Sequence, residues 1–83
     1  MSNNRLMNSD PVAETKQIEI VVNGKRASAS GGLSIEGLLR ELRVDETRVA
    51  VELEQRIVRR ADWSSSMVES GAHVEIVQFV GGG

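Results

Sequence analysis

Apolar residues change their spacing along this chain, and each change marks an element. In QIEIVV, Ile18, Ile20 and Val22 alternate with Gln17, Glu19 and Val21, the period-two pattern of a strand with one buried face. Asn23-Gly24 follows at once. Both residues tolerate the positive φ of a type I′ turn, so the pattern predicts a hairpin returning over Lys25–Ala29. Ser30-Gly31-Gly32 reads as a loop. Beyond it, Ile35, Leu38, Leu39 and Leu42 fall at i, i+3, i+4 and i+7, the single apolar stripe of a helix lying on a core. Ser34 suits the N-cap and Glu36 the positive end of that helix. Gly37 inside it costs roughly 1 kcal/mol relative to Ala, which close approach to the sheet would explain. After a short acidic turn, Val49, Val51 and Leu53 restore the period of two. Glu54-Gln55 then turn the chain into a short strand around Ile57. ADWSSSMVESGA reads as a loop with one helical turn, Trp63 and Met67 plugging the edge of the core. His73–Val80 is the last strand.

The element order is therefore β-β-α-β-β-β. One helix and a hairpin-rich sheet make a two-layer α+β domain. A last strand laid parallel beside the first turns this into a mixed sheet of about five strands on one main helix, the β-grasp or ubiquitin-like layout. The domain spans 17–83. The leader 1–16, MSNNRLMNSDPVAETK, is polar, non-periodic and holds the lone proline, Pro11, so it is expected to be disordered. The phase of the last strand sends Val74, Ile76, Gln78 and Val80 toward the helix and Val77 and Phe79 outward. On a sheet covered on one side only, Val77 and Phe79 then form an exposed docking surface. A β-bulge resetting the phase would bury Phe79 instead, and the pattern leaves both open.

Composition narrows the chemistry. With 83 residues and 40% hydrophobic positions the chain supports one domain. Trp63 and Phe79 are its two aromatics, so the core is aliphatic. The absence of cysteine excludes disulfides, thiolate metal sites and a cysteine nucleophile. A net charge of −2 has the wrong sign for a nucleic-acid backbone binder. No apolar run reaches transmembrane length and no signal peptide opens the chain, giving the expectation of a cytoplasmic protein. His73, the sole histidine, starts a strand and reads as a surface residue. Ser64, Ser65 and Ser66 have no evident activating partner, and Ser30-Gly31-Gly32 lacks the Lys-Ser/Thr of a phosphate-binding loop. Arg59 and Arg60 read as a solvated face, as do Glu36, Glu41, Asp45 and Glu46 around the helix.

The last ten residues, VEIVQFVGGG, run a strongly apolar strand directly into three glycines. A Gly-Gly-Gly arm is thin, conformationally free and reaches about 10 Å when extended, which suits threading into a narrow channel of another protein. The expected reactive group is the carboxylate of Gly83. Adenylation at the expense of ATP would activate it, and a nucleophile, sulfur included, could then take the acyl group.

VVNGK, VAVEL, IVRRADW and this tail resemble the ThiS family, the ubiquitin-like sulfur carriers of thiamin biosynthesis, over essentially all of 17–83. The resemblance implies a carrier that is not itself an enzyme. Gly83 would be adenylated by a ThiF-type adenylyltransferase and converted to a thiocarboxylate that donates sulfur for the thiazole ring made by thiazole synthase. Gly82 belongs to the di-glycine motif and Gly81 extends it. A sulfur donor such as a cysteine desulfurase system is implied as well. No permanently bound cofactor and no metal is expected, ATP being used by the partner enzyme. Two positions depart from the family pattern: Arg59 stands where proline is frequent, and Ala72 where an aspartate follows glycine. The competing readings are a MoaD-like carrier for molybdopterin or another acceptor, a modifier conjugated to lysines through Gly83, and a passive interaction module. QFVGGG lacks the proline that tends to precede the di-glycine in MoaD-like tails.

Overall fold

A computed structural model of the protein describes residues 16–80. The expected leader lies outside the described residues except for Lys16, and the glycine tail 81–83 lies outside them altogether. Five strands, β1 (Gln17–Val22), β2 (Lys25–Ser30), β3 (Val49–Leu53), β4 (Arg56–Val58) and β5 (His73–Gln78), accompany one helix, α1 (Ile35–Glu41). Short 3₁₀ turns occupy Glu46–Arg48 and Arg60–Asp62. The strands form one sheet in the order β2-β1-β5-β3-β4. The last strand is thus central, parallel to β1 and antiparallel to β3. With α1 packed on one face, this is the β-grasp fold.

The core follows the expected phases. Ile20 and Ala29 from the hairpin, Val49 and Val51 from β3, and Val74 from β5 close over Ile35, Leu38 and Leu39 of α1. The Asn23-Gly24 turn has φ of +51° and +82°, as the type I′ hairpin requires. Ser34 caps α1 by accepting a hydrogen bond from the Gly37 N–H. At the other end Arg43 takes a φ of +62°. Its N–H donates to Arg40 O and the Val44 N–H to Leu39 O, the paired bonds of a Schellman motif that ends the helix. Leu42 is therefore the C-cap and half-buried.

Two local expectations change. Gly37 does not make room for the sheet: a Cβ there would meet Leu33 Cδ2 at 3.1 Å and Leu33 Cβ at 3.6 Å. It makes room for the chain entering its own helix. Met67 does not plug the core and is 46% exposed, whereas the adjacent Val68 is 3% exposed and fills that place. The reason is register. Ser34 bridges Met67 in antiparallel sense, with Ile35 N–H donating to Ser66 O and Val68 N–H to Leu33 O. Strand-like pairing sends neighbouring side chains to opposite sides, so Val68 turns in as Met67 turns out. Trp63 is buried as expected, with its indole N–H donating to Val58 O at 2.9 Å.

The charged residues are also more engaged than a solvated face implies. Arg60 lies 4.5 Å from the centroid of the Trp63 ring and donates to Glu46 O. Arg40 bridges Glu36 and Glu46. Glu41 accepts the Ser30 N–H. Asp45 accepts from both the hydroxyl and the N–H of Thr47, which hold its carboxyl below the ordinary aspartate range. Glu41 and Glu46 thus tie neighbouring segments to the helix, while Asp45 caps its own turn.

Candidate functional site: the free end of the central strand

The strand that leads to the glycines is held at its base from both sides. On the β1 side, Val21 N–H donates to Ala72 O and Asn23 N–H to Val74 O, each at 2.9 Å. Backbone pairing then stops, because the chain has turned at Asn23-Gly24. The Asn23 side chain continues it: Oδ1 accepts the Ile76 N–H at 2.7 Å and Nδ2 donates to Ile76 O at 3.1 Å. One primary amide thus replaces a whole strand residue. On the β3 side, Glu54 N–H donates to His73 O and Glu54 Oε2 accepts the His73 N–H at 3.0 Å. That exchange accompanies a turn in which Glu54 and Gln55 hold φ of +53° and +69° without a glycine.

Above this base the strand emerges from cover. Pairing with β3 is continuous from Leu53↔Val74 to Val49↔Gln78, and the Phe79 N–H still donates to Arg48 O at 2.7 Å. No bulge intervenes, so Phe79 keeps the outward phase and is 55% exposed, with Val77 beside it at 54%. Ala50 pairs with Val77 on this outer face. Exposed Ile57 lies further across it, opposite Glu52. The inward expectation for Gln78 and Val80 holds in direction for Gln78, which pairs with buried Val49, but not in burial. Gln78 is exposed and Val80 is 87% exposed. The cause is length: seven residues of α1 span about 10 Å, while a six-residue strand such as β5 spans about 20 Å. Helix cover ends before the strand does.

The titratable and hydroxyl side chains singled out in the sequence do not converge among the described residues. Among the described residues no group of three or more His, Cys, Asp or Glu converges as a metal ion would require. His73 is exposed, with Nδ1 3.8 Å from Glu54 Oε1. Ser65 Oγ donates to Asp62 O. No helix among these residues is long and apolar enough to cross a membrane. Gly81, Gly82 and Gly83 lie outside the described residues, so the structure shows the platform from which they depart. Asn23 and Glu54 were missed as positioning residues. Their turn propensity was legible, but the role of a turn side chain in pairing a distant strand has no local signature.

The chain spans about a fifth of the length of two thiazole synthases it resembles. It is 39% identical over 66 residues to that of Paramagnetospirillum magneticum, covering 80% of this chain and 20% of the enzyme. It is 33% identical over 66 residues to that of Magnetococcus marinus, with the same coverage. The crystal structure of the thiamine biosynthesis protein ThiS from Geobacter metallireducens superimposes with a TM-score of 0.69 and 33% identity, over 80% of this chain and all of that one. The model of the ThiS family matches residues 15–83, tail included. With a β-grasp sheet whose central strand projects toward that tail, the chain belongs to the ThiS family.

Proposed function

We propose that the chain is a sulfur carrier that works through the carboxylate of Gly83. An adenylating enzyme of the ThiF type joins that carboxylate to AMP from ATP, releasing pyrophosphate. Hydrosulfide, or a persulfide followed by thiol reduction, then displaces AMP and leaves a thiocarboxylate. A cysteine desulfurase system is the fitting source of that sulfur, and the need of the adenylation step for ATP fits a cycle in the cytoplasm. The carrier itself contributes no catalytic side chain.

The observation that carries this reading is the uncovered end of β5, where the central strand leaves the sheet with Val77, Phe79 and Val80 exposed and leads into Gly81-Gly82-Gly83. Such an end presents the carboxylate to another protein while the rest of the strand stays anchored. The likeness to two thiazole synthases favours the thiazole of thiamin as the destination of the sulfur over molybdopterin.

The test is intact mass after incubation with ATP, the adenylating enzyme and a sulfur source, followed by a thiol-alkylating reagent. Replacing oxygen by sulfur has the nominal mass of one methionine oxidation, so the alkyl adduct decides. The chain has no cysteine, and a single adduct on the peptide ending at Gly83 is the expected result. No adduct with active partner enzymes sinks the proposal; Gly83 found in amide linkage to lysine would replace it with conjugation.

A further inference from the structure

The main-chain groups of β5 alternate between its two neighbours. Glu54 exchanges bonds with His73 and Arg48 accepts from Phe79, so His73, Glu75, Val77 and Phe79 direct their N–H and C=O toward β3. Val74 and Ile76 face the other way, toward β1 and the Asn23 side chain. By the same period Gln78 and Val80 also face that way. There β1 no longer exists, because its hairpin turned four residues earlier in the pairing. Among the described residues nothing accepts from or donates to the Gln78 and Val80 main chain.

This is an open edge on the central strand of a sheet, where edges are not expected. Sheets usually blunt such edges with lysine, proline or a bulge. Val77-Gln78-Phe79-Val80 has none of these, and no charged side chain follows Glu75. Its apolar side chains Val77, Phe79 and Val80 stand exposed. The position also restricts who can reach it. Gly83 lies three residues beyond Val80, about 10 Å at full extension, so any enzyme that holds the Gly83 carboxylate brings its surface against this edge.

We propose that the adenylating enzyme adds an extended segment of its own backbone to the Gln78–Val80 edge, completing the sheet on the side that β1 leaves empty. Main-chain bonds of this kind give affinity with little dependence on side-chain identity. They would also hold the tail straight, so that the strand, and not the glycines alone, sets where Gly83 lands. The inference rests on the carrier reading.

Proline tests it, since a free edge N–H is where a strand tolerates proline. Gln78→Pro removes one of the two donors on that edge and touches no hydrogen bond among the described residues. Ser28→Pro removes a similarly unpaired N–H on the opposite edge, β2, where the alternation that gives the Ser30 N–H to Glu41 also turns Ser28 outward. In ATP–pyrophosphate exchange with the adenylating enzyme, Gln78→Pro is expected to raise the KM for the carrier at least tenfold, Ser28→Pro less than twofold. Hydrogen exchange on the unaltered chain gives a second readout: the Gln78 and Val80 amides, fast alone, gain at least tenfold protection in the complex. Equal KM values for Gln78→Pro and the unaltered chain, or amides that stay fast in the complex, overturn strand addition and leave the carrier reading intact. A loss in Gln78→Ala as large as in Gln78→Pro overturns it too, by placing the contact on the side chain. No exchange with the unaltered chain overturns both.

Discussion

Asn23 serves twice, as a residue that tolerates a φ of +51° and as a side chain that pairs with Ile76 through donor and acceptor together. Aspartate keeps the shape and the turn tolerance but loses the donor, setting a carboxylate oxygen against the Ile76 carbonyl. Asn23→Asp is therefore expected to destabilise by about 1–3 kcal/mol. Thermal unfolding should show a Tm drop of roughly 5–20 °C, and a shift within 1 °C of zero would mean that the paired amide is not holding β5. Phe79 presents the opposite case. The residue is more than half exposed, so Phe79→Ala should move Tm by no more than about 4 °C while weakening binding to the adenylating enzyme in titration calorimetry. A large Tm loss with unchanged binding would make Phe79 a structural residue. Its phase was legible in the alternation of the last strand; the absence of a bulge was not, because that depends on the register with β3.

At the scale of elements, the helix and the hairpin were readable because their signals are local. Four apolar residues at helical spacing and a Ser34 cap specify α1, and Asn-Gly specifies the first turn. The connections carry information of another kind. Arg59, where the family pattern favours proline, sits at φ −66° and ψ 146°, angles proline adopts freely. By the alternation along β4 its N–H points away from β3, and it donates to no other backbone group among the described residues. Arg59→Pro is thus expected to stabilise by about 0.4–1 kcal/mol, chiefly by restricting the unfolded chain. Denaturant unfolding should show a higher midpoint at unchanged slope; a lower midpoint would reveal a hidden role for that N–H. The loop after Trp63 was read less well. Met67 and Val68 are equivalent by composition, and only the bridge between Met67 and Ser34 decides which turns inward.

Across the whole molecule, folding and the proposed transfer chemistry fall to different parts of the chain. The core lies between α1 and the inner sheet face, while the proposed reactive carboxylate lies three residues beyond the described structure. Removing Gly82 and Gly83 should leave Tm within about 2 °C and abolish pyrophosphate exchange. Retained exchange would exclude Gly83 as the acyl group. The order of elements, the buried faces and the family-like tail are properties of sequence alone, since each follows from spacing or residue type over a short window. The end of helix cover before Gln78 and the open edge at Gln78–Val80 are not. They arise because β1 turns back at Asn23 while β5 runs on beside β3, and a mismatch in length between neighbouring strands exists only once the chain has paired them.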